Sequence, residues 1–193
     1  MKALKLFGCA LFAASFLSFT PLNKKIIVID AGHGGDDFGA KHSGFSEKEI
    51  VLKIAREIKS RNNSDSDYEV VLTRDSDLNS SLSERTDKIN ELNPAAVISL
   101  HVNSSPKPES DRQGTEIYTQ SSEESKNLAK IISKNLGECR IEEKNLHILK
   151  QSKSPAVLVE LGFINSTKDR KYLTSEEGQK EVAAKFEKIF SEL

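Results

Sequence analysis

Four residues far apart in the sequence are of the types needed to hold and use a metal ion. His33 follows the apolar run Ile26–Asp30 inside "IDAGHGGDDFGA", His101 follows "AAVISL" directly, and Glu160 closes "AVLVE". Each stands at the carboxyl end of a strand-like run, the edge where open α/β sheets form binding crevices. Parallel strands would bring all three to one rim. Two histidines with one or two carboxylates are the makings of a zinc site, because catalytic zinc takes three protein ligands and keeps a further position open. Such a metal makes hydroxide available at neutral pH, and a separate carboxylate can pass the proton to a leaving group.

Local chemistry sorts the acids. "SEKE" (46–49) reads as a capping box, with Ser46 as N-cap and Glu49 reaching back to its amide. That leaves Glu47 free to point into a cleft. Glu160 interrupts an apolar strand, where a carboxylate needs a partner. Desolvation would raise its pKa and a nearby cation would lower it, and both make it the best general-base candidate. Ordinary structural roles compete at every position. His33 could be a turn residue, His101 could bond a backbone carbonyl, and Glu47 could simply favour a helix first turn. Glu160 could pair with Arg74 or Arg85. His42 sits in a polar loop. His147 alternates with Leu146 and Ile148, which predicts a strand with the imidazole on its solvent face.

The elements that must position these residues follow from periodicity. Ile26–Asp30 is a short β-branched run and reads as a buried strand. Ile50, Val51, Ile54 and Ile58 share a helical face. "YEVVLTR" is a strand, and Leu82, Ile89 and Leu92 fall roughly in helical phase. "AAVISL" and "GTEIYT" are strands, followed by a helix carrying Leu128, Ile131, Ile132 and Leu136 that stops near Gly137. "LHILK" and "AVLVELGF" read as strands. The last helix carries Val182, Phe186, Ile189 and Phe190, with Thr174 and Glu177 as its capping box. This order predicts a single α/β domain, with a mostly parallel central sheet of about six strands flanked by helices on both faces.

Composition bounds the rest. A chain of 193 residues has room for one domain with a substantial core. The net charge of -1 gives no basic character for nucleic acid, and 6% aromatic content without tryptophan offers no stacking platform for bases. Residues 1–22 read as an export signal: a lysine-bearing start, an uncharged stretch from Leu6 to Phe19, and a polar exit containing Pro21. The competing reading is a retained N-terminal anchor. Removing the signal would take Cys9 with it and leave Cys139 alone, unable to form an internal disulfide.

In these residues the chain resembles the zinc-dependent N-acetylmuramoyl-L-alanine amidases, bacterial cell-wall hydrolases. The resemblance runs from about Lys25 to the C-terminus. It rests on "IVIDAGHGGDDFGA", "SEKEIVLKIAREI", "VLTRDSD" with "SLSERTDKIN", "AAVISLHVNSS", "GTEIY" and "SPAVLVELGFINS", in the family's order. It implies that residues 23–193 are the catalytic domain. It also implies one Zn2+ per chain held by His33, Glu47 and His101, with Glu160 as the catalytic glutamate. The implied reaction is hydrolysis of the amide between N-acetylmuramic acid and L-alanine of peptidoglycan. An exported protein of the periplasm or cell envelope follows, with no nucleic-acid partner, no obligatory protein partner, and a monomeric state. Another zinc peptidase acting on wall stem peptides, or a non-catalytic peptidoglycan-binding module, remains an alternative.

Ala31 stands where the family usually has proline. Some relatives in the family carry an inhibitory helix after the strand equivalent to "GTEIY"; here "TQSSEESKNLAK" passes almost directly into the next helix, which implies an ungated site. The small residues around His33 are expected to keep the loop low so that a bulky substrate can approach. Asp30 is expected to orient a ligand histidine, and Asp36 and Asp37 are left as loop residues.

Overall fold

A computed structural model describes residues 24–62, 66–137 and 139–193; the expected export signal lies outside them. In chain order, β1 (Lys25–Ala31) leads to a small hairpin, β2 (Lys41–His42) and β3 (Phe45–Ser46), and then to α1 (Glu47–Ser60). Next come β4 (Tyr68–Leu72), α2 (Leu82–Leu92), β5 (Ala96–Asn103), β6 (Glu116–Thr119) and α3 (Glu123–Leu136). β7 (Arg140–Glu143), α4 (His147–Gln151), β8 (Ala156–Phe163), α5 (Thr167–Thr174) and α6 (Glu176–Ser191) complete the chain. The main sheet runs β4-β1-β5-β8-β6-β7. Its first four strands are parallel, β6 is antiparallel to β8, and β7 is parallel to β6. The expected mostly parallel six-stranded α/β sheet is what forms.

Side-chain alternation along the central strands explains the two layers. Ile27, Ile29, Ile98, Leu100, Val157 and Val159 join one buried cluster with residues of α1, α3 and α6. Val28, Val97, Ala156 and Leu158 face the other way and pack with Ile89 of α2 and with Ile148 and Leu149 of α4. Each such Val, Leu or Ile side chain, when fully buried, contributes about 1.5–3 kcal/mol. On this second face the apolar residues give way to polar ones toward the strands' carboxyl ends. Asp30 follows Val28, Ser99 and His101 follow Val97, and Glu160 follows Leu158. The short helices α2 and α4 pack on the apolar part of that face, and the polar row lies beyond it.

Two buried arginines hold the end of β1. Arg74 donates to the carbonyls of Ala31 at 2.9 Å and Gly32 at 2.8 Å, and also to that of Lys48 in α1. Arg85 donates to the carbonyls of Ala31 and His33 and pairs with the Asp30 carboxylate at 2.9 Å. Asp30 also accepts from Thr73 and Ser99. Burial opposes the Asp30 charge, but Arg85 and these hydroxyls hold its carboxyl below the usual range. Asp30 therefore anchors the loop backbone and does not orient a histidine ring, as had been expected of it.

Several local expectations are corrected. "LHILK" is the short helix α4, not a strand, and His147 opens it. An edge strand, β7, lies in the polar stretch after α3; its pattern is mostly exposed, so no apolar alternation marks it. Ser46 is the N-cap of α1 but makes no side-chain cap bond. The first amides of α1 donate instead to the backbone carbonyls of Ala40 and Phe38, which the hairpin brings over the helix end. The capping box that does form is Ser81–Glu84 on α2. α6 is capped by Ser175, because the Thr174 hydroxyl is spent on the Arg170 carbonyl inside α5. Leu82, expected on the packed face of α2, is 56% exposed. Arg85→Ala would leave the Asp30 charge buried and unpaired, and should cost about 3–5 kcal/mol. Urea unfolding measures this, and Asp30→Asn in the same chain should recover part of the loss.

Candidate metal centre

His33, Glu47 and His101 converge at the rim. One ligand atom from each lies within 4.8 Å of the others. Glu47 sits between the two rings, its Oε1 3.0 Å from His33 Nε2 and 2.8 Å from His101 Nδ1. The rings themselves meet edge-on, with centroids 4.9 Å apart. Three elements deliver these side chains: the loop after β1, the first residue of α1, and β5.

The surroundings fix each ligand. Glu47 is anchored by the amide of Val102 on Oε1 and by that of Ala40 on Oε2. His33 holds its backbone at a φ of 59°, a left-handed conformation that a non-glycine residue adopts at a cost. Its carbonyl is one of those held by Arg85. Its Nδ1 lies 2.8 Å from Asp37, leaving Nε2 turned toward Glu47. This is the carboxylate–imidazole arrangement that orients metal-binding histidines. Asp37, left without a role by the sequence, therefore does what had been expected of Asp30. Its only sequence signal is the spacing of four from His33.

The glycines serve packing more than access. A Cβ on Gly32 would lie 2.5 Å from the His101 ring, and one on Gly39 would lie 2.5 Å from Glu47 Oε2. The ligands themselves occupy the space that side chains at those positions would need.

Electrostatics separates the two carboxylates. Burial would push the Glu47 carboxyl up, but the hydrogen bonds and charges of His101 and His33 hold it far below the usual range. Burial would likewise pull His33 down, yet Glu47 and Asp37 outweigh it and hold the imidazole at about 9. The cluster thus favours positive charge between its members, as a metal-ligand set does. Glu160 behaves oppositely. It faces His101 directly across the β5–β8 register. Burial pushes its carboxyl up to about 7, with His101 pulling it down and Glu47 and Glu116 reinforcing the rise. Its Oε2 is buried and has no hydrogen-bond partner among the described residues.

The arginines offered as structural partners for Glu160 are occupied elsewhere, by the β1 loop. His42 lies 3.7 Å from Glu109, outside the centre. Cys139 is a free thiol, which burial pushes up and which donates to the Gly137 carbonyl, away from the candidate metal centre.

Known proteins share this sequence pattern and fold. The chain matches the family described as N-acetylmuramoyl-L-alanine amidase over residues 27–189. It is 35% identical over 158 residues to N-acetylmuramoyl-L-alanine amidase LytC of Bacillus subtilis (strain 168), a match covering 77% of this chain and 31% of LytC. Among solved structures, the catalytic domain of CwlV, an N-acetylmuramoyl-L-alanine amidase from Bacillus (Paenibacillus) polymyxa var. colistinus, superposes with a TM-score of 0.80. That pair is 33% identical, covering 87% of this chain and 97% of the other. An N-acetylmuramoyl-L-alanine amidase from Clostridium difficile 630 superposes with a TM-score of 0.83 at 26% identity, over 88% of this chain and 96% of the other. The match over residues 27–189 takes in His33, Glu47, His101 and Glu160, and the chain belongs to the N-acetylmuramoyl-L-alanine amidase family.

Proposed function

We propose that the protein is a zinc hydrolase that cuts the amide joining N-acetylmuramic acid to L-alanine in peptidoglycan, with His33, Glu47 and His101 holding the metal and Glu160 moving the proton. The observation that carries this reading is the pairing of a compact His-Glu-His set with a desolvated carboxylate on the next strand, whose Oε2 has no hydrogen-bond partner among the described residues. Two imidazoles and a carboxylate are a donor set that suits zinc. Bound zinc supplies Lewis acidity toward a carbonyl and a hydroxide nucleophile at neutral pH.

The chain's own residues do the rest. Asp37 keeps His33 Nε2 free of a proton donor's role when it serves as a ligand, and the Val102 and Ala40 amides keep Glu47 in place. Glu160, poised near neutrality, takes a proton from the attacking water and gives it to the nitrogen of the departing alanine. The C–N bond breaks as the new C–O bond forms, leaving a muramoyl carboxylate and a free L-alanine amino terminus.

The wall-peptidase alternative would need a cation free to receive a substrate carboxylate. Arg74 and Arg85 do not offer one, because their donors are engaged by carbonyls and Asp30. A non-catalytic binding module has no use for a desolvated carboxylate beside a metal-ligand set. Only residues 120–122 separate β6 from α3, which supports a site without an inserted gating helix and an enzyme that acts as a monomer without an activator. Action in the cell envelope is what the family does. For this chain we read residues 1–22 as the export signal and residues 23–193 as the catalytic domain.

Digestion of purified peptidoglycan tests the reading. New L-alanine amino termini with intact glycan strands are expected; new amino groups on other stem residues would indicate a peptidase instead. Glu160→Gln should lower kcat by about 100- to 10,000-fold while zinc content stays unchanged. A second expectation concerns protons. His33 is protonated below about pH 9 in the metal-free protein, so zinc must displace that proton. Calorimetry in buffers of different ionisation enthalpy should show about one proton released at pH 7.5, with affinity weakening about tenfold per unit as pH falls.

A further inference from the structure

Five large apolar side chains are exposed among the described residues, and four of them, Phe38, Phe45, Leu78 and Leu82, belong to the segments that follow the carboxyl ends of β1 and β4. The fifth, Ile141, lies on the edge strand β7. Scattered exposed apolar residues are ordinary, but a gathering of them on one rim marks a surface that meets a partner. The two aromatic members stand on and beside the β2–β3 hairpin, which borders a groove of about 380 Å3 whose walls include Phe38, Lys41, Ser43, Phe45 and Glu49. The hairpin is tightly built. Ser43 and Gly44 have φ values of 49° and 80°, the two-residue turn that matches strand twist, and His42 pairs with Phe45 across it. The carbonyls of Ala40 and Phe38 cap α1, and the Ala40 amide holds Glu47, so the groove is fixed relative to the metal ligands. The two rings differ in what covers them. The ammonium groups of Lys41 and Lys48 lie 3.5 and 4.1 Å from the Phe38 ring centroid. Phe45 is 42% exposed and has no ring or cation partner among the described residues.

We propose that this groove is a sugar subsite, in which Phe45 stacks on a ring of the glycan strand next to the muramoyl residue whose amide is cut. The inference deepens the amidase reading above and rests on it. Topology decides which half of the substrate reaches the hairpin. Glu160 gives its proton to the departing alanine nitrogen, and it points to the sheet face that carries α2 and α4. The hairpin leads into α1, which packs on the opposite face. The leaving group therefore departs on the Glu160 side, and the acyl half, which carries the muramoyl ring and its glycan, lies toward the hairpin. A pyranose has a face of C–H bonds, which packs on the negative face of an aromatic ring. Its edge of hydroxyl and acetamido groups needs polar partners. The groove supplies both, an uncovered phenyl ring and, around it, the exposed Lys41 ammonium, Ser43 hydroxyl and Glu49 carboxylate. Lys41 and Glu49 offset each other in charge, which suits an uncharged sugar. Small-molecule sites combine such apolar walls with few, placed polar groups. Phe45 is thus a binding residue for the glycan, and its exposure is the open half of a stacking pair.

The chain contains no tryptophan, so Phe45→Trp places a single indole in the groove and keeps an aromatic face there. Peptide-free glycan oligosaccharides are expected to shift its emission to the blue in a saturable way, and L-alanyl-D-isoglutamine is not. Activity supplies a second readout. Phe45→Ala should lower kcat/KM about tenfold more on a muramoyl-peptide within a glycan oligosaccharide than on the single-sugar N-acetylmuramoyl-peptide, mainly through KM. Phe45→Tyr, which keeps the ring, should recover most of that difference. An indole emission unmoved by the peptide-free glycan, or an equal loss on both substrates, would overturn the proposal. So would a shift with the stem peptide alone, which would give the groove to the stem. A shift that follows protein concentration without sugar would overturn it as well, by giving the groove to a second copy of this chain. Failure of the amidase reading would look different: the unsubstituted enzyme would leave the muramoyl–alanine bond intact in both substrates.

Discussion

Three consecutive carbonyls at the end of β1, those of Ala31, Gly32 and His33, are held by two buried guanidinium groups. The candidate metal centre depends on this constraint. A strand that ends in a glycine-rich loop would ordinarily leave its carbonyls to solvent and its backbone free to rearrange. Arg74 and Arg85 supply fixed planar donors, and Arg85 is itself neutralised by Asp30. His33 can then keep a left-handed backbone, and the ring of His101 can pack against Gly32 with no Cβ between them. Arg74 also ties the loop to the first turn of α1 through the Lys48 carbonyl, linking the two elements that carry His33 and Glu47.

The second layer of the design is electrostatic. One carboxylate is wedged between imidazoles and kept ionised; the other is desolvated and kept near neutrality. Neighbouring acids with opposed shifts mark a division of labour between charge-holding and proton transfer. The β5–β8 register enforces the separation by placing His101 opposite Glu160. A slip of one residue would turn Glu160 to the other sheet face, into the cluster packed against α1, α3 and α6.

Much of this was legible in the sequence because apolar strands end where chemistry begins. "IIVI", "AAVISL" and "AVLV" announce buried parallel strands, and the residues after them announce the rim. Glu47 was separable from Glu49 by local logic, although the capping box behind that logic does not form: the hairpin's carbonyls cap α1 from a distance in sequence that no local pattern encodes. Asp37 was invisible for a similar reason, since its role requires the turn that folds it back on His33. The run "LHILK" could not be assigned by periodicity, because five residues fit a strand or one helical turn equally well. Only the packing of Ile148 and Leu149 beneath β8 decides for α4, and that choice makes His147 the first residue of a helix instead of a solvent-facing strand residue.

The reading of His33, Glu47 and His101 as the metal-holding set can be tested at the metal itself. X-ray absorption at the zinc edge, on the protein as purified, tests it most directly. One zinc per chain is expected, with two imidazole nitrogens and only oxygen donors besides, and loss of that shell in Glu47→Ala. A sulfur donor from Cys139, a shell with fewer than two imidazoles, or full zinc retention with an unchanged shell in Glu47→Ala would contradict it.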